Sequence, residues 1–522
     1  MTVNGLLQNT SKYSPILQAT FGLERESLRI NQENKVAQTN HPDKLGNRSF
    51  HPYIQTDYSE AQIELITPIG KTTQDALRTL GAITDVAGRS INQDEYLWPL
   101  SMPPKLGKDD IHIAKLDNAW ERQYREHLAE SYGKIIQSIS GIHYNIELGK
   151  DLVATLFEES NYDSLVHFKN DLYLKLAQNF LRYRWLLTYL YGASPIAEEG
   201  FLNAPLKQPV RSIRNSYLGY VNHTDIKVSY QSLEHYIADI ERYVSNNQLI
   251  AEKEFYSPVR LRGSKHVRDY LTNGVTYLEL RTFDLNPFDN RGITQETLDT
   301  VHLFILALLW LDSSSAIDQD ITEASKLNDK IALSHPLDKL PEDAPIESIL
   351  SAMQGIVDYF ELSDYYQGLI DAIKNQIEHP EQTIAGRLLD EIDNLSLESF
   401  GQKQGQTFHD YAWQAPYALK GYENMELSTQ LLMFDAIQKG VHLEILDEND
   451  QFIKLWHGDH VEYVKNANMT GKDSYITPLI MENKVVTKKL LSKAGFPVPK
   501  GEEFADKAAA LRYFSQIKDK AI

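Results

Sequence analysis

The sequence predicts an α+β fold. Segments in which apolar and polar residues alternate occur early in the chain, and long, irregular stretches separate them instead of a regular strand–helix–strand rhythm. The chain has 522 residues, of which 42% are hydrophobic. It can therefore bury a large core, and we expect more than one domain. These observations favour α+β over a doubly wound parallel sheet.

The first 312 residues contain four predicted strand segments and three predicted helices. Four segments show period-two alternation over part of their length, as half-buried strands do: residues 21–30, 54–69, 140–148 and 274–285. Three segments between or after them carry apolar residues at helical spacing: residues 72–91, 171–192 and 293–312. Gly192 is a typical helix end and predicts where the second helix stops.

The chain changes character after residue 312. Residues 313–425 are mostly helical and acidic, and we interpret them as an elaboration of a first domain over residues 1–425. Residues 426–480 are predicted to be a connecting region, with short strands joined by the DEND sequence at 447–450. Residues 481–499 predict a helix closed by Gly495 and Pro497, at the start of a third segment, 481–522.

Composition excludes several classes of function. The net charge of −20 argues against a general nucleic-acid binder, and the absence of cysteine excludes disulfides, thiolate metal sites and cysteine nucleophiles. The longest apolar run, residues 301–311, is too short to span a membrane. Residues 1–14 lack the basic start and apolar stretch of a secretory signal, so we expect a cytoplasmic protein without membrane or nucleic-acid partners.

Acidic residues recur on the predicted strands. Glu24 and Glu26 are two residues apart, so in an extended chain their carboxylates share one face and repel each other unless a cation lies between them. Asp57 and Glu64 lie in the second strand segment, and Glu279 lies in the fourth. For any single strand a solvated face is the commoner explanation, but the combination favours a metal site. Carboxylates without thiolates suit Mg²⁺ or Mn²⁺.

Basic residues and one histidine complement these acids. His143 lies on the polar face of the third strand segment, and Arg281 shares a strand face with Glu279. Residues 254–269 and 211–220 supply further arginines, whose planar forks suit carboxylate and phosphate oxygens: Arg260, Arg262, Arg211 and Arg214. We expect Lys265, His266 and Arg268 to be solvated or paired with local acids.

The pattern of residues predicts phosphoryl transfer. The chain lacks GxxxxGK[ST], GxGxxG, HExxH and GxSxG, so none of these nucleotide or nucleophile motifs accounts for its chemistry. A cavity that holds two or more hard metal ions beside arginines suits a reaction that depends on positioning and charge neutralisation. The residues alone do not identify the substrate.

Five ordered motifs resemble a known family. They are GLERESLR at 22–29, TDYSEAQIELITP at 56–68, SGIHYNIEL at 140–148, SYLGY at 216–220, and FYSPVRLRG followed by GVTYLELRTFDLNPF at 255–288. Over roughly residues 10–425 the chain resembles the bacterial-type glutamate-cysteine ligases. Residues 458–499 resemble the entry to an ATP-grasp domain, as in those ligases that are fused to an ATP-grasp glutathione synthetase.

The resemblance implies a fold and a reaction. The fold would be glutamine-synthetase-like, with an open, curved antiparallel sheet around the active site and surrounding helices. ATP would phosphorylate the γ-carboxylate of glutamate with Mg²⁺ or Mn²⁺ bound, and the amine of cysteine would attack the γ-glutamyl phosphate to give γ-glutamylcysteine, the first step of glutathione biosynthesis. The partners would be small molecules: ATP, glutamate and cysteine.

The resemblance also implies roles for individual residues. The implied metal ligands are Glu24, Glu26, Asp57, Glu64 and Glu279, not assigned to particular ions. Arg281 would stabilise the transferring phosphoryl group, with Glu279 as the second catalytic residue. The implied substrate-binding residues are Arg214, Tyr220, Tyr256 and His143, the last also near ATP, and the implied nucleotide-binding residues are Arg260 and Arg262.

Some alternatives stay open on the sequence. An ATP-grasp domain needs more chain than residues 481–522, so we expect the first activity here, and glycine addition only in a complete chain. A homodimer is compatible with a complete ATP-grasp domain, and the sequence leaves the oligomeric state open. A related ligase with another amine acceptor would use the same apparatus. A non-catalytic module that binds metal or nucleotide is the alternative from a different class.

Overall fold

A computed structural model describes Leu7, residues 15–107 and residues 109–517. The chain divides into two compact units, with the boundary between Val441 and His442. We predict no secretory signal in residues 1–14. Apart from Leu7, this segment lies outside the described residues. The predicted domain limits at residues 1 and 522 lie outside them as well.

An antiparallel sheet forms the centre of the first unit. Its strand order is β2–β3–β1–β5–β7–β6, and β4 pairs with the end of β1. The strands are β1 Ala19–Asn31, β2 Ile54–Thr56, β3 Gln62–Ile66, β4 Glu95–Leu97, β5 Ile142–Leu148, β6 Val259–Arg262 and β7 Tyr277–Phe283. These strands pair antiparallel throughout the described part of the sheet, which confirms the predicted α+β class.

Helices surround this sheet. Those that precede β7 are α1 Thr73–Ser90, α2 Ala119–Tyr132, α3 Lys150–Glu158, α4 Leu165–Tyr183, α5 Trp185–Tyr191, α6 Leu233–Ser245 and α7 Tyr270–Asn273. Those that follow β7 are α8 Gln295–Trp310, α9 Ile317–Ala332, α10 Ile346–Tyr359, α11 Asp364–Glu378, α12 Ile384–Leu388, α13 Glu398–Gln414 and α14 Leu427–Gln438. The segment predicted to be a helical elaboration, residues 313–425, is accordingly rich in helix.

The sheet has one apolar face and one polar face. Leu23, Tyr144 and Leu280 are buried on the first, as strand alternation requires. Helix α1 packs against β1 and β3 and is fixed at its start by a capping box, in which Thr72 and Asp75 bond each other's backbone N–H groups. Burial on one side leaves the polar face, with its carboxylates, free to line a site.

Two predicted elements are each divided in the structure. Residues 54–69 contain the hairpin strands β2 and β3, with Asp57 in the connecting turn. Residues 171–192 contain the end of α4 and all of α5, which meet at Arg184. The backbone of Arg184 keeps right-handed helical angles, so the apolar periodicity continues across the break and the sequence does not reveal it. Gly192 does end α5, as predicted.

Over its described residues, 442–517, the second unit contains a three-stranded antiparallel sheet and three helices. The strands are β8 His442–Asp447, β9 Phe452–His457 and β10 His460–Lys465, in the order β10–β9–β8. The helices are α15 Ile476–Glu482, α16 Lys484–Lys493 and α17 Lys507–Ile517. Gly495, with φ of 85°, follows α16 and supplies the predicted helix stop. Among the residues described in both units, no helix is long and apolar enough to cross a bilayer.

Candidate active site

A cavity of 360 Å³ opens on the polar face of the large sheet. All the residues predicted for the site line it: Glu24, Glu26, Asp57, Glu64, His143, Arg214, Tyr220, Tyr256, Arg260, Arg262, Glu279 and Arg281. They come from five strands and from the segments between them, and are separated by up to 257 residues along the chain, from Glu24 to Arg281. The structure brings the predicted residues together; their individual roles remain predictions.

Strand register places the carboxylates beside one another. Glu26 of β1 is the direct partner of Glu64 of β3, and Glu24 of β1 is the direct partner of His143 of β5. Like charges directly opposite each other destabilise a sheet. Ligand atoms of Glu26, Asp57 and Glu64 lie within 4.8 Å of one another, and so do those of Glu24, Glu64 and His143. Glu64 belongs to both groups.

His143 connects three of the acids. Its Nδ1 lies 2.9 Å from Oε2 of Glu24 and 3.5 Å from Oε1 of Glu279, and its Nε2 lies 3.6 Å from Oε1 of Glu26. Asn145, two residues along β5, donates from Nδ2 to Oε1 of Glu24 at 3.0 Å. Glu24 is therefore held on both oxygens, with its orientation fixed by β5.

Glu279 and its arginines form the other side of the cavity. The Glu279 carboxylate is buried and accepts from Nη1 of Arg281 at 2.9 Å and from Nε of Arg262. Cζ of Arg281 lies 5.5 Å from the ring centroid of Tyr256, and its Nε is buried without a hydrogen-bond partner in the structure. An N–H donor is thus held in the cavity wall and is free to bind an anionic oxygen.

Burial and charge move the pKa values of these acids apart. Burial, followed by the charge of Asp57, raises the pKa of Glu64 well above its usual value, and the same two causes raise that of Glu26. Burial also acts on Glu279, but the positive charges of Arg281 and Arg260 outweigh it and hold the pKa of Glu279 well below its usual value. The β1–β3 side of the cavity therefore has an excess of negative charge that a cation would relieve.

Arg214 is positioned by buried polar groups. Its backbone N–H donates to Oγ of Ser194 at 3.1 Å, and Ser194 donates in turn to Asp284 at 2.9 Å. Asp284 also accepts from Oγ of Ser212 at 2.7 Å. The Arg214 side chain packs over Gly141, where a Cβ would collide with the guanidinium, and its Nη1 is buried without a partner. Arg214 thus offers a second free donor to the cavity.

Aromatic rings border the cavity near Arg214. Tyr220 and Tyr256 meet edge to face with their centroids 5.2 Å apart, and Tyr220 also lies 5.3 Å from Tyr132. Burial raises the pKa of Tyr220 to about 12, so its hydroxyl stays protonated at neutral pH. Protonated phenols can donate to a carboxylate, which suits an amino-acid substrate.

Arg260 is held from behind. Its Nη2 donates to the backbone oxygens of Lys253 and Phe255, each at 2.8 Å. Burial, together with the neighbouring charge of Arg281, lowers the pKa of Arg260 to about 10, which still leaves it charged at pH 7. The charge contributes to the positive potential around Glu279.

Other charged residues of the same segments lie elsewhere. Arg211, expected beside Arg214 in the basic set, is instead buried, because its guanidinium donates to the backbone oxygens of Tyr189, Pro336 and Asp338. Arg268 pairs with Glu241 on the surface, which agrees with its expected solvated role.

Sequence reasoning missed one wall of the cavity. Helix α2, capped by Asn118, supplies Tyr124 and Leu128, and the following turn supplies Gln137 and Ile139. These residues carry no charge pattern, so only the amphipathic spacing of residues 119–132 could have indicated a helix there. The wall adds the apolar side chains of Leu128 and Ile139 to the cavity, and Glu121 and Arg125 of α2 line it as well.

The comparisons with known proteins agree with this geometry. Residues 5–331 match the family model described as glutamate-cysteine ligase, and residues 423–476 match one described as an ATP-grasp-like domain. The first match spans more than half of the chain. The chain belongs to the glutamate-cysteine ligase family. This confirms the resemblance seen in the motifs.

Similar proteins extend the match beyond that family model. The glutathione biosynthesis bifunctional protein GshAB of Streptococcus agalactiae is 66% identical over 523 residues, which cover 100% of this chain and 70% of that protein. A crystal structure of a bifunctional glutathione synthetase from Pasteurella multocida is 45% identical, with a TM-score of 0.89, over 99% of this chain and 69% of that one.

A further crystal structure supports the fold alone. It is a glutamate-cysteine ligase from Francisella tularensis in complex with AMP, 24% identical, with a TM-score of 0.70 over 81% of this chain and 92% of that one. Family membership makes this chain an ATP-dependent ligase that joins glutamate to cysteine, the first step of glutathione biosynthesis.

Proposed function

We propose that the cavity binds ATP, glutamate and cysteine and forms γ-glutamylcysteine through a γ-glutamyl phosphate, with divalent metal ions held by the acidic residues of the sheet. The observation that carries the proposal is the convergence of Glu24, Glu26, Asp57 and Glu64 around shared ligand positions. These side chains come from β1, β3 and the turn before β3, and they line a cavity that also holds Arg281.

The donor set fits Mg²⁺ or Mn²⁺. Glu26, Asp57 and Glu64 offer carboxylate oxygens, which these hard cations prefer, and Glu24 with Glu64 offers a second group beside His143. The raised pKa of Glu64 reflects burial beside other acids, which bound cations would relieve. When bound, such ions would neutralise the triphosphate charge that otherwise repels a carboxylate nucleophile.

Arg281 is proposed to bind the phosphoryl group during its transfer. Glu279 and the ring of Tyr256 fix the guanidinium, while its Nε remains free to donate. Arg262 also donates to the Glu279 carboxylate. We propose that Arg262 and the nearby charge of Arg260 bind the nucleotide. Donors that are fixed before the reaction stabilise developing charge without reorganising.

The amino acids are proposed to bind in the part of the cavity that Arg214, Tyr220 and Tyr256 line. Arg214 and Tyr220 suit the carboxylate of an amino acid, and Tyr256 contributes the adjoining ring. The thiol side chain of cysteine suits the apolar side chains of Leu128 and Ile139. The carboxylate of an amino acid would thus face Arg214, and the thiol of cysteine would face apolar side chains.

The reaction would have two steps. An oxygen of the glutamate γ-carboxylate attacks the terminal phosphorus of ATP, and ADP leaves. The cysteine nitrogen then attacks the acyl carbon, phosphate leaves with the bonding electrons, and the amine loses a proton. The side chains of this cavity position the groups and balance their charge, as phosphoryl transfer requires.

Acceptor-dependent ADP release tests the proposal. The protein is incubated with ATP, Mg²⁺ and glutamate, and ADP release is compared with cysteine, 2-aminobutyrate or ammonia as the acceptor. We expect cysteine to give the highest kcat/KM. Preference for ammonia or another amine would instead indicate a related carboxylate-amine ligase, and turnover with none of them would favour the non-catalytic binding module.

We further propose that the second unit, residues 442–517, belongs to an ATP-grasp glutathione synthetase domain. The match of residues 423–476 to an ATP-grasp-like domain and the similarity to proteins named bifunctional support this. In a chain with a complete domain of this kind, glycine would be added to γ-glutamylcysteine. An assay of such a chain for glycine-dependent ADP release, with γ-glutamylcysteine supplied, tests the assignment.

A further inference from the structure

Tyr220 and Tyr256 line the cavity from segments that are neither helix nor strand. Because these two residues lie outside the sheet, contacts other than strand pairing must hold their rings in place. Asn222 is two residues after Tyr220, and Glu254 is two residues before Tyr256. Both of these neighbours bond the same side chain, that of Tyr132 at the end of α2.

The Glu254 carboxylate is 1% exposed and is bonded on both oxygens. Its Oε1 accepts from the hydroxyl of Tyr132 at 2.8 Å, and its Oε2 accepts from the backbone N–H of Ile250 at 2.6 Å. Nε2 of His127, also on α2, lies 3.3 Å from Oε2. A buried carboxylate needs such donors, so Glu254 joins α2 to the segment that carries Tyr256.

Asn222 connects the same groups to a third segment of the chain. Its Nδ2 donates to the Tyr132 hydroxyl and to the backbone oxygen of Glu254, each at 3.0 Å. Its Oδ1 accepts from the backbone N–H of Tyr256 at 2.5 Å. The backbone of Tyr256 is therefore fixed by a residue of the segment that carries Tyr220.

The ring of Tyr132 contacts that segment directly. Its centroid lies 5.3 Å from that of Tyr220, and it stacks on the ring of His223 at 4.9 Å with an interplanar angle of 18°. Burial raises the pKa of the Tyr132 hydroxyl above its usual value, so the hydroxyl stays protonated and can donate to Glu254. One side chain thus bonds Glu254 through its hydroxyl and contacts Tyr220 through its ring.

We propose that Glu254 is a positioning residue for the cysteine substrate, acting through Tyr132 and Asn222 on the two tyrosines; the inference rests on the function proposed above. We call Tyr132, Asn222 and Glu254 the clamp residues. Among the residues that the structure describes, neither Tyr132 nor Asn222 lines the cavity, and both carboxylate oxygens of Glu254 are bonded within the protein. The clamp residues therefore act on Tyr220 and Tyr256, which face the substrate.

The clamp residues border the cysteine part of the cavity and not the carboxylates. Leu128, whose side chain is proposed to contact the thiol, is four residues before Tyr132, so both lie on one face of α2. Glu24, Glu64 and Arg281 lie on strands of the large sheet, whose register holds them independently. Loss of the clamp should therefore weaken the binding of cysteine more than that of ATP.

An ion pair also links α2 to the segment that carries Tyr256, but it is more exposed. Nζ of Lys253 donates to both carboxylate oxygens of Glu121, at 2.7 and 2.9 Å, and the two side chains are 39% and 34% exposed. Solvent screens a pair of this kind, so it contributes little. The buried bonds of Glu254 carry the connection.

Tyr132→Phe tests the proposal, because it removes the hydroxyl and keeps the ring. The rate of ADP release at varied cysteine and at varied ATP gives the two KM values separately. We expect the KM of cysteine to rise about fivefold or more and that of ATP to stay within about twofold. Tyr162→Phe is the matched control, since its hydroxyl also donates to a carboxylate, that of Asp171 at 2.6 Å, but at an exposed position.

Glu254→Gln, alone and combined with Tyr132→Phe, tests whether the two residues act as one unit. Glutamine offers one acceptor oxygen, so either the Tyr132 hydroxyl or the Ile250 N–H loses its partner. We expect Glu254→Gln to raise the KM of cysteine about tenfold, and the added Tyr132→Phe to change it less than twofold further. Circular dichroism confirms the folding of each variant.

The results that would contradict the inference differ from those that would contradict the proposed function. If the wild type turns over with cysteine, an unchanged KM of cysteine in Tyr132→Phe would show that the clamp does not position the substrate. Equal changes in both KM values, or fully additive effects in the double variant, would assign these residues to general stability. A wild type without cysteine-dependent ADP release would overturn the proposed function, and this inference with it.

Discussion

Glu26 of β1 and Glu64 of β3 are direct cross-strand partners in the interior of the sheet. Both are more than half buried, and burial beside other acids raises the pKa of each. A pair of this kind costs stability in the absence of a cation. The metal ions that we propose would compensate this charge.

Removing one charge of this pair should stabilise the metal-free protein. We expect Glu64→Gln to raise the free energy of unfolding by about 1 kcal/mol in EDTA, because the amide keeps the shape and removes the repulsion. Urea unfolding followed by circular dichroism measures the difference. Glu130→Gln on the exposed face of α2 is the control and should change little. A loss of stability in Glu64→Gln would mean that the carboxylate is satisfied by the protein alone.

Arg281 should act on turnover more than on binding. Arg281→Lys keeps a positive charge but loses the fork that bonds Glu279 and presents Nε. We expect kcat to fall by about 10²–10³, the range for removal of one charge-stabilising donor, with a smaller change in the KM of ATP. Arg268→Lys, at an exposed ion pair with Glu241, is the matched control. A rise in KM alone would assign Arg281 to substrate binding.

Gly141 should control the position of Arg214. A Cβ at Gly141 would collide with the guanidinium, whereas its backbone angles allow a side chain. We therefore expect Gly141→Ala to raise the KM of glutamate about tenfold and to leave the KM of ATP nearly unchanged. Gly88→Ala on α1, where a Cβ meets nothing within 4 Å, is the control. An equal rise in the KM of glutamate and in the KM of ATP would argue against Arg214 as an amino-acid ligand.

Glu60 should make stability depend on acid pH. It accepts from two nitrogens of Arg48, at 2.5 and 2.8 Å, and from the backbone N–H groups of His41 and Lys115. Burial opposes its charge, but these bonds outweigh burial and lower the pKa of Glu60 to about 2, below the ordinary value of 4.5. Because the folded pKa is depressed, the stabilisation is present above about pH 4.5 and is lost as the pH falls toward 2.

Glu60→Gln checks this dependence. At pH 7 the variant should unfold with a free energy lower by roughly 1–3 kcal/mol, the range for hydrogen bonds to a charged group. The difference in unfolding free energy between wild type and this variant should shrink as the pH falls from about 5 to about 3. Glu33→Gln, at an exposed ion pair with Lys35, should show neither effect. A deficit that stays constant with pH would mean that Glu60 contributes by packing and not by charge.

The sequence predicted the acidic side of the site well because alternation is a local property. Glu64 and Glu279 are each flanked by apolar residues, which fixes the face of the strand that they occupy without knowledge of the partner strand. Register is not local, so the pairing of Glu26 with Glu64 could not be read from the chain. The combination of acidic strands predicted a shared metal site, and the resemblance to a family supplied the roles of the individual residues.

Other features of the structure could not be predicted from the sequence, because they depend on tertiary contacts. The break at Arg184 keeps helical angles and leaves no mark on the periodicity. Arg211 and Arg214 are three residues apart in the same basic segment, yet one is buried against backbone oxygens and the other enters the cavity. Leu128 lines the cavity because α2 lies beside the turn after β2, where Arg125 donates to the backbone oxygen of Asp57, and this long-range contact cannot be predicted from the sequence of the helix.

Binding of Mn²⁺, followed by electron paramagnetic resonance, shows whether the carboxylates of the large sheet hold divalent ions. Glu64 belongs to both groups of ligand atoms. The wild-type protein should bind Mn²⁺ and reduce the signal of the free ion, and Glu64→Gln should weaken that binding by at least about tenfold, while Glu130→Gln binds as the wild type does. Equal binding by wild type and Glu64→Gln, or no binding by wild type with ATP present, would contradict the account.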